Sequence, residues 1–562
     1  MSTLYRQDQK LRLHCGLSGI DKAKRILGAT WNKRESCWEY PLSAAPFILE
    51  AFPKATIDES AQPTVDHFII AEEHVSKLVK GEVEPRAHPF LMKHQRLCLD
   101  ISLWAYRYAL FLDTGTGKTL AAYAIIADNQ HLKWLVICPK SIVRTAWMDD
   151  HNRFYPKLRV LPCSKNIKKA DYIEIATKWG VPISAKGSIK DIRKTLLGCA
   201  EVVIINPESF KSDNLDGWAY EGLIVDESSI MRNIKSQITV ALLNKAVDVR
   251  RLYLLSGKPA PNSELEYFPQ MVAVNPALFG GSYYKFRDRF FEAKDYFGYD
   301  FQMRDSMRDE FARRLAKGCI FVSKKDCLDL PDELPPVARM VELGAEARKY
   351  YKTMEREQIL LIEDTSVAAR TKLAALMKLR QITSGFIIDT EEDGEVVALH
   401  SDKLAELKTV IEELGDNKAI IWVNFKREVH DIAAMLAKMK KSYVTAYSET
   451  TDTDLSIADF KSNAAQFIIA HPKTLKYGVT FTGESMAVNC TFAIYYSMSY
   501  SYEDYYQSHD RIYRKGQNEG CTYIFLIAEN TIDEDIYEAI IKKGSDAAVM
   551  ENMIRRCHDG EN

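Results

Sequence analysis

The stretch Leu110-Phe-Leu-Asp-Thr-Gly-Thr-Gly-Lys-Thr119 carries the residue types and spacing that hold a phosphate. Gly115 and Gly117 let backbone N–H groups turn toward an anion with no Cβ in the way. Lys118 has the reach for the outer phosphates of a nucleotide, and the Thr119 hydroxyl suits magnesium. Leu112 stands where the longer phosphate-loop pattern has its first glycine, so only the core of that pattern is met. Taken alone, the stretch also reads as a glycine turn with an exposed lysine.

Two further segments offer complementary chemistry. In Leu223-Ile-Val-Asp-Glu-Ser-Ser229 an apolar run ends in two adjacent acids. Asp226 is the candidate magnesium ligand, and Glu227 the candidate to orient and deprotonate an attacking water. In Gln507-Ser-His-Asp-Arg-Ile-Tyr-Arg-Lys-Gly-Gln517, Arg511 and Arg514 stand three apart, a spacing that predicts one face of a helix. Paired guanidinium groups neutralise charge that grows on a transferring phosphoryl group. A strand-ending acidic turn and a solvated basic helix are the plainer alternatives for these two segments.

Such groups must be delivered by strands. The apolar run before the glycine loop reads as a buried strand, and Leu120 to Asp128 as the helix after it. Further buried strands are expected at Trp134 to Cys138, Val202 to Ile205, Leu223 to Val225 and Leu252 to Leu255. Between residues 276 and 395 the character shifts to helical spacing, as in Tyr283 to Phe291, Met303 to Ala316, Ala345 to Glu363 and Ala368 to Arg380. Alternation then returns, with strands at Ala419 to Val423, Phe467 to Ala470, Phe492 to Tyr496 and Thr522 to Ile527. The fold class is α/β: two parallel-sheet layers flank a mainly helical middle. Near the N-terminus, helical spacing at Ile20 to Leu27 and short aromatic strands around Trp31 and Trp38 mark a small α+β unit.

The 562 residues have room for three or four domains, and a 46% hydrophobic share supports large cores. The formal charge of −2 excludes a global basic field, so any nucleic-acid contact must use local patches. The 11 cysteines include no Cys-x-x-Cys pair, which argues against a zinc ribbon or a disulfide framework. No apolar run approaches the ~20 residues that cross a bilayer. The expectation is an intracellular protein, cytoplasmic in a bacterial or phage-infected cell and nuclear in a eukaryote, with no membrane partner.

The order and content of these segments resemble the Swi/Snf-type ATPases of helicase superfamily 2. His88-Pro-Phe-Leu-Met-Lys-His-Gln95 is similar to the adenine-recognising element. Asp113 to Thr119 resembles motif I, Cys138-Pro-Lys-Ser-Ile-Val-Arg144 with Trp147 motif Ia, and Asp226 to Ser229 motif II. Leu255-Ser-Gly-Lys-Pro-Ala-Pro-Asn262 resembles motif III, Gly478-Val-Thr-Phe-Thr482 motif V, and Gln507 to Gln517 motif VI. Leu379-Arg-Gln-Ile382 and Lys403-Leu404 resemble the entry to a second lobe. The resemblance implies two RecA-like lobes with ATP and Mg2+ between them. His94, Gln95, Thr114, Gly115, Thr116, Gly117, Lys118, Thr119 and Gln507 would bind the nucleotide, and Thr119 and Asp226 the metal. Lys118, Asp226, Glu227, Arg511 and Arg514 would be catalytic. Ser229 stands where the family has histidine and Lys258 where threonine is common, two departures that bear on coupling.

The segments Gly28-Ala-Thr-Trp31 and Trp38-Glu-Tyr-Pro-Leu42 are similar to the HARP-like domain found beside annealing helicases. The organisation so implied is a HARP-like DNA-binding unit at 1–60, a linker at 61–84, a first lobe at 85–275, a helical insertion at 276–395 and a second lobe at 396–562. The implied function is ATP-dependent translocation on duplex DNA that remodels or anneals branched or forked DNA. Strand separation, or an ATP-switched DNA clamp within a larger assembly, are the alternatives. Lys140, Arg144, Lys473 and Lys476 are the candidate DNA contacts, with a solvated surface charge as the plainer reading of each. Ser141, Asn206, Ser209, Asn424, Lys426 and Thr474 lie on the same kinds of loop. Replication, recombination or defence proteins are the conceivable partners.

Overall fold

The structure is a computed structural model; it describes residues 2–559 except 9, 165–166, 185, 212–214, 216, 295–299, 364–368, 389–395, 476–478 and 484–485, and the side chains of 357–373. It divides into one compact unit of residues 1–327 with 547–562 and a second of residues 328–546.

The first unit is built on a seven-stranded sheet. Its strand order is Cys319–Val322, Arg107–Leu112, Arg251–Ser256, Gly222–Asp226, Trp134–Ile137, Val202–Ile205 and Val160–Pro162, every pair parallel. These strands are short and almost wholly apolar because helices cover both faces, so there is no solvent side to demand polar alternation. Trp134, Trp147 and Tyr253 are among its largest fully buried side chains. The second unit repeats the plan in a six-stranded parallel sheet, ordered Val337–Val341, Thr522–Ala528, Phe492–Tyr495, Ala419–Trp422, Phe467–Ala470, Tyr443–Ala446. The α/β class with two RecA-like parallel sheets is thus as expected.

The region 276–395 is less helical than its spacing predicts. Cys319–Val322 closes one edge of the first sheet, and Val337–Val341 one edge of the second. Met303 ends a short hairpin with Phe291, so the helix there runs only Arg308–Ala316. The helix Ala345–Glu363 matches its expected span.

The N-terminal unit is a five-stranded mixed sheet, ordered Thr30–Asn32, Cys37–Pro41, Lys10–His14, Thr3–Gln7, Thr56–Ile57. Leu4, Leu11, Leu13, Trp38 and Tyr40 form its core. Ser43 donates a hydrogen bond to Asn275 at 2.7 Å, and Ala277 joins that core, so the small sheet is seated against the segment that follows helix Tyr267–Val274. A helix, Gln62–Val79, spans most of residues 61–84.

The last helix, Ile532–Asp559, begins in the second unit, and from residue 547 onward belongs to the first. Met550 and Ile554 enter the first unit's core. All eleven cysteines are free thiols. Among the described residues no helix is long and apolar enough to cross a membrane.

Candidate nucleotide site

In an open parallel sheet, ligands sit beyond the carboxyl ends of the strands. Strand Arg107–Leu112 ends in the glycine loop, and helix Lys118–Asp128 begins at its far side. Gly117 has φ +80°, and a Cβ there would lie 2.3 Å from Gln95 Nε2, so only glycine fits. Lys118 and Thr119 are the first residues of that helix, where unpaired N–H groups favour an anion. Lys118 Nζ folds back to donate to the carbonyl of Leu112 at 3.2 Å. The buried Thr114 hydroxyl has no hydrogen-bond partner among the described residues. A helix N-terminus, a cradle that excludes a Cβ and an orphaned hydroxyl fit a nucleotide's phosphates.

His94 and Gln95 are buried behind this loop. His94 Nε2–H donates to Thr116 O at 2.8 Å, and Gln95 Nε2 donates to Thr116 O at 3.1 Å and Gly117 O at 3.2 Å. Burial holds the His94 imidazole below its ordinary pKa, partly offset by its bond to Thr116. Both side chains, expected to read adenine, also brace the phosphate loop.

Asp226 ends strand Gly222–Asp226, with a single strand, Arg251–Ser256, between it and the phosphate-loop strand. It is 3% exposed. Trp147 Nε1 donates to its Oδ2 at 2.9 Å, and the Glu227 N–H to its Oδ1 at 3.0 Å. Burial raises the carboxyl above its ordinary pKa, and Lys118, the Trp147 bond and the Glu227 N–H oppose that rise. Glu227 is half-buried and left-handed, at φ 54° and ψ 58°. The hydroxyl of Thr119 and the carboxylate of Asp226 are the groups suited to a divalent cation. The sequence marks Trp147 only as part of motif Ia; its bond to an acid 79 residues away is a contact that no local pattern encodes.

In the second unit the helix predicted to carry both arginines stops early. It spans Tyr502–His509, and Arg511 and Arg514 follow it in a turn. Arg511 Nε itself helps end the helix by donating to Gln507 O at 2.9 Å. The two guanidinium groups still converge: Arg511 donates to Val479 O at 2.5 Å, and Arg514 to Val479 O at 3.3 Å and Thr480 Oγ1 at 2.7 Å. The turn is laid on residues 479–483 so closely that a Cβ on Gly516 would stand 2.6 Å from Gly483 Cα. Gln507 is buried and its Oε1 has no hydrogen-bond partner among the described residues.

The candidate DNA contacts are scattered. Lys140 and Lys473 are exposed on loops after strands. Arg144 pairs with Asp171, and Lys426 with Glu449 at 2.6 Å. Asn424 Nδ2 donates to Ser497 O at 2.8 Å, an internal bond. Asn206 is buried, with its Oδ1 lacking a hydrogen-bond partner among the described residues. Lys476 and Gly478 lie outside the described residues. Lys258, the departure in motif III, pairs with Glu551 at 2.6 Å and approaches Asp113 at 3.9 Å.

Residues 94–385 match the SNF2-related domain, and residues 402–516 the helicase conserved C-terminal domain. The chain is similar to the SWI/SNF-related matrix-associated actin-dependent regulator of chromatin subfamily A-like protein 1 of Xenopus tropicalis, 24% identical over 510 residues, covering 88% of this chain and 48% of that one. It is 23% identical over 468 residues to the putative protein p41 of Acyrthosiphon pisum secondary endosymbiont phage 1, covering 79% and 94%. It is 24% identical over 450 residues to the mouse DNA annealing helicase and endonuclease ZRANB3, covering 77% and 38%. The chain spans about half the length of the chromatin-regulator relatives from Xenopus. Among solved structures, the Sulfolobus solfataricus SWI2/SNF2 ATPase core in complex with dsDNA aligns with a TM-score of 0.36 at 20% identity, covering 84% of this chain and 97% of that one. The SNF2-related match alone takes in more than half of the sequence, and the chain belongs to that family of helicase-like ATPases.

Proposed function

We propose that this protein is an ATP-driven translocase on duplex DNA that remodels or anneals branched and forked DNA. The observation that carries this reading is the division of labour between two parallel-sheet units. One holds a phosphate loop beside a buried acid; the other holds two guanidinium groups fixed on a single carbonyl. Lys118 and the helix N-terminus hold the phosphates. Glu227 orients and deprotonates the attacking water, and Arg511 and Arg514 neutralise charge that grows on the same nucleotide. Magnesium, held by Asp226 and Thr119, supplies charge neutralisation at the outer phosphates when bound. Arginines from a second sheet make hydrolysis depend on both units, which is what stepping along a backbone requires.

Phosphate contacts from loops such as those of Lys140 and Lys473 would suffice for grip, since a translocase reads no sequence. The N-terminal sheet, with its Trp31 and Trp38 pair, is the HARP-like element that would favour branched DNA. The relatives named as an annealing helicase and as chromatin regulators support this reading. The test is hydrolysis stimulated by single-stranded, duplex and forked DNA, with Lys118→Ala, Glu227→Gln and Arg514→Ala. Duplex or fork stimulation that all three substitutions abolish is expected. Turnover retained in all three refutes the reading.

A further inference from the structure

Beyond the residues that face the nucleotide, a buried polar relay joins the catalytic acids to the loop after the next strand. Ser228 follows Glu227 directly and is 0% exposed. Its hydroxyl donates to Gln270 Oε1 at 2.7 Å. Gln270, also 0% exposed, sits on the helix Tyr267–Val274. Its Nε2 donates to Pro259 O at 2.8 Å and to Glu266 O at 3.1 Å. Pro259 belongs to the loop that leaves strand Arg251–Ser256, the strand between the phosphate loop and Asp226.

A primary amide in such a place needs a reason. Its helix is otherwise apolar and buried, and includes Phe268, Met271 and Val274. Burying an amide is costly unless both its oxygen and its nitrogen are bonded. Leucine or methionine would fill a similar volume without that requirement. Gln270 instead spends its oxygen on the catalytic loop and its nitrogen on the neighbouring loop.

The catalytic loop has a matching need. Glu227 is left-handed, at φ 54°, a conformation unfavourable for a residue with a Cβ that must be held by its surroundings. Immediately after it comes the 3-10 turn Ser228–Met231, in which Ile230 N donates to Glu227 O at 3.1 Å. Ser228 is the first residue of that turn, and its side chain ties the turn to Gln270.

We propose that Gln270 is a positioning residue for ATP hydrolysis. Through Ser228 it fixes the left-handed backbone that orients Glu227, and through Pro259 it makes that orientation depend on the loop after strand Arg251–Ser256. The inference rests on ATP hydrolysis and not on movement along DNA, so it is tested without DNA.

The experiment is steady-state ATP hydrolysis by the full chain carrying Gln270→Met, Gln270→Leu, Ser228→Ala and the Ser228→Ala/Gln270→Met pair. Each single substitution is expected to lower kcat about tenfold, with KM for ATP within about twofold of the unsubstituted chain, the pattern of a lost transition-state interaction. The double substitution is expected to lose no more than either single one, because both break the same relay. Melting curves identify variants that keep the fold; Gln270→Met conserves volume, and Ser228→Ala removes one atom. A kcat within about twofold of the unsubstituted chain in folded Gln270→Met and Ser228→Ala overturns the proposal, as do losses that multiply in the double variant or appear in KM instead.

Discussion

Trp147 donates its indole N–H to Asp226 at 2.9 Å, and its own carbonyl accepts a hydrogen bond from Tyr123 OH at 2.9 Å. Tyr123 lies on the helix that opens with Lys118. One tryptophan therefore ties the phosphate-loop helix to the buried acid. An indole bond to a carboxylate contributes about 1.5–3 kcal/mol. Trp147→Phe leaves Asp226 buried with one fewer donor, and is expected to lower kcat about tenfold or more at saturating ATP. Tyr123→Phe, one bond further away, is expected to lower it less. Steady-state hydrolysis at two magnesium concentrations checks this; equal activity of Trp147→Phe and the parent chain counts against it.

Lys258 and Glu551 form the second tie, between the loop after strand Arg251–Ser256 and the C-terminal helix. Burial raises the Glu551 carboxyl above its ordinary pKa, and the Lys258 charge and hydrogen bond oppose that rise. A carboxyl with a raised pKa in the folded state lowers stability as pH climbs from its unfolded value through its folded one. Removing the lysine enlarges the rise. Lys258→Met is expected to destabilise the first unit by about 3–5 kcal/mol at neutral pH, and by less below the unfolded carboxyl pKa. The Lys258→Met/Glu551→Leu pair is expected to recover part of the loss, since the buried carboxylate goes with its partner while Asp113, 3.9 Å from Lys258, still loses that charge. Chemical unfolding at two pH values measures both.

His509 gives the second unit a pH dependence of its own. Burial alone would lower its pKa, but hydrogen bonds to Asp510 and Glu333 and their charges raise it. Glu333 lies 2.9 Å from its Nε2, and the ring stacks on Tyr523 with centroids 3.7 Å apart. A histidine whose folded pKa is raised stabilises fully below its unfolded value and loses that stabilisation as pH rises through the folded one. The second unit is therefore expected to melt at a lower temperature as pH rises above about 6.5, the ordinary histidine value. His509→Gln is expected to flatten that slope. Melting curves from pH 5 to pH 8 would show it, and an unchanged slope in the variant would count against the assignment.

Much of the fold could be read because buried parallel strands have to be apolar runs. Trp134 to Cys138, Val202 to Ile205 and Phe467 to Ala470 needed only their composition, and the acids and glycines at such strand ends marked the site. Short edge strands escaped because Cys319–Val322 and Val337–Val341 sit among residues of helical spacing and gain their identity from a neighbour far along the chain. Arg511 and Arg514 were placed on a helix by their spacing, yet side-chain capping by Arg511 and the close approach of Gly516 to Gly483 made a turn instead. The convergence of the two guanidinium groups survived that change because Val479 collects both. Contacts such as Ser228 with Gln270, or Lys258 with Glu551, join residues 42 and 293 positions apart, and no local pattern could announce them.

Displacement of a third strand from a DNA triplex measures ATP-driven movement on duplex DNA without requiring strand separation. The unsubstituted chain is expected to release the third strand only when ATP is present, with Glu227→Gln and Arg514→Ala inactive. A chain that hydrolyses ATP in the presence of duplex DNA yet leaves the triplex intact would contradict translocation.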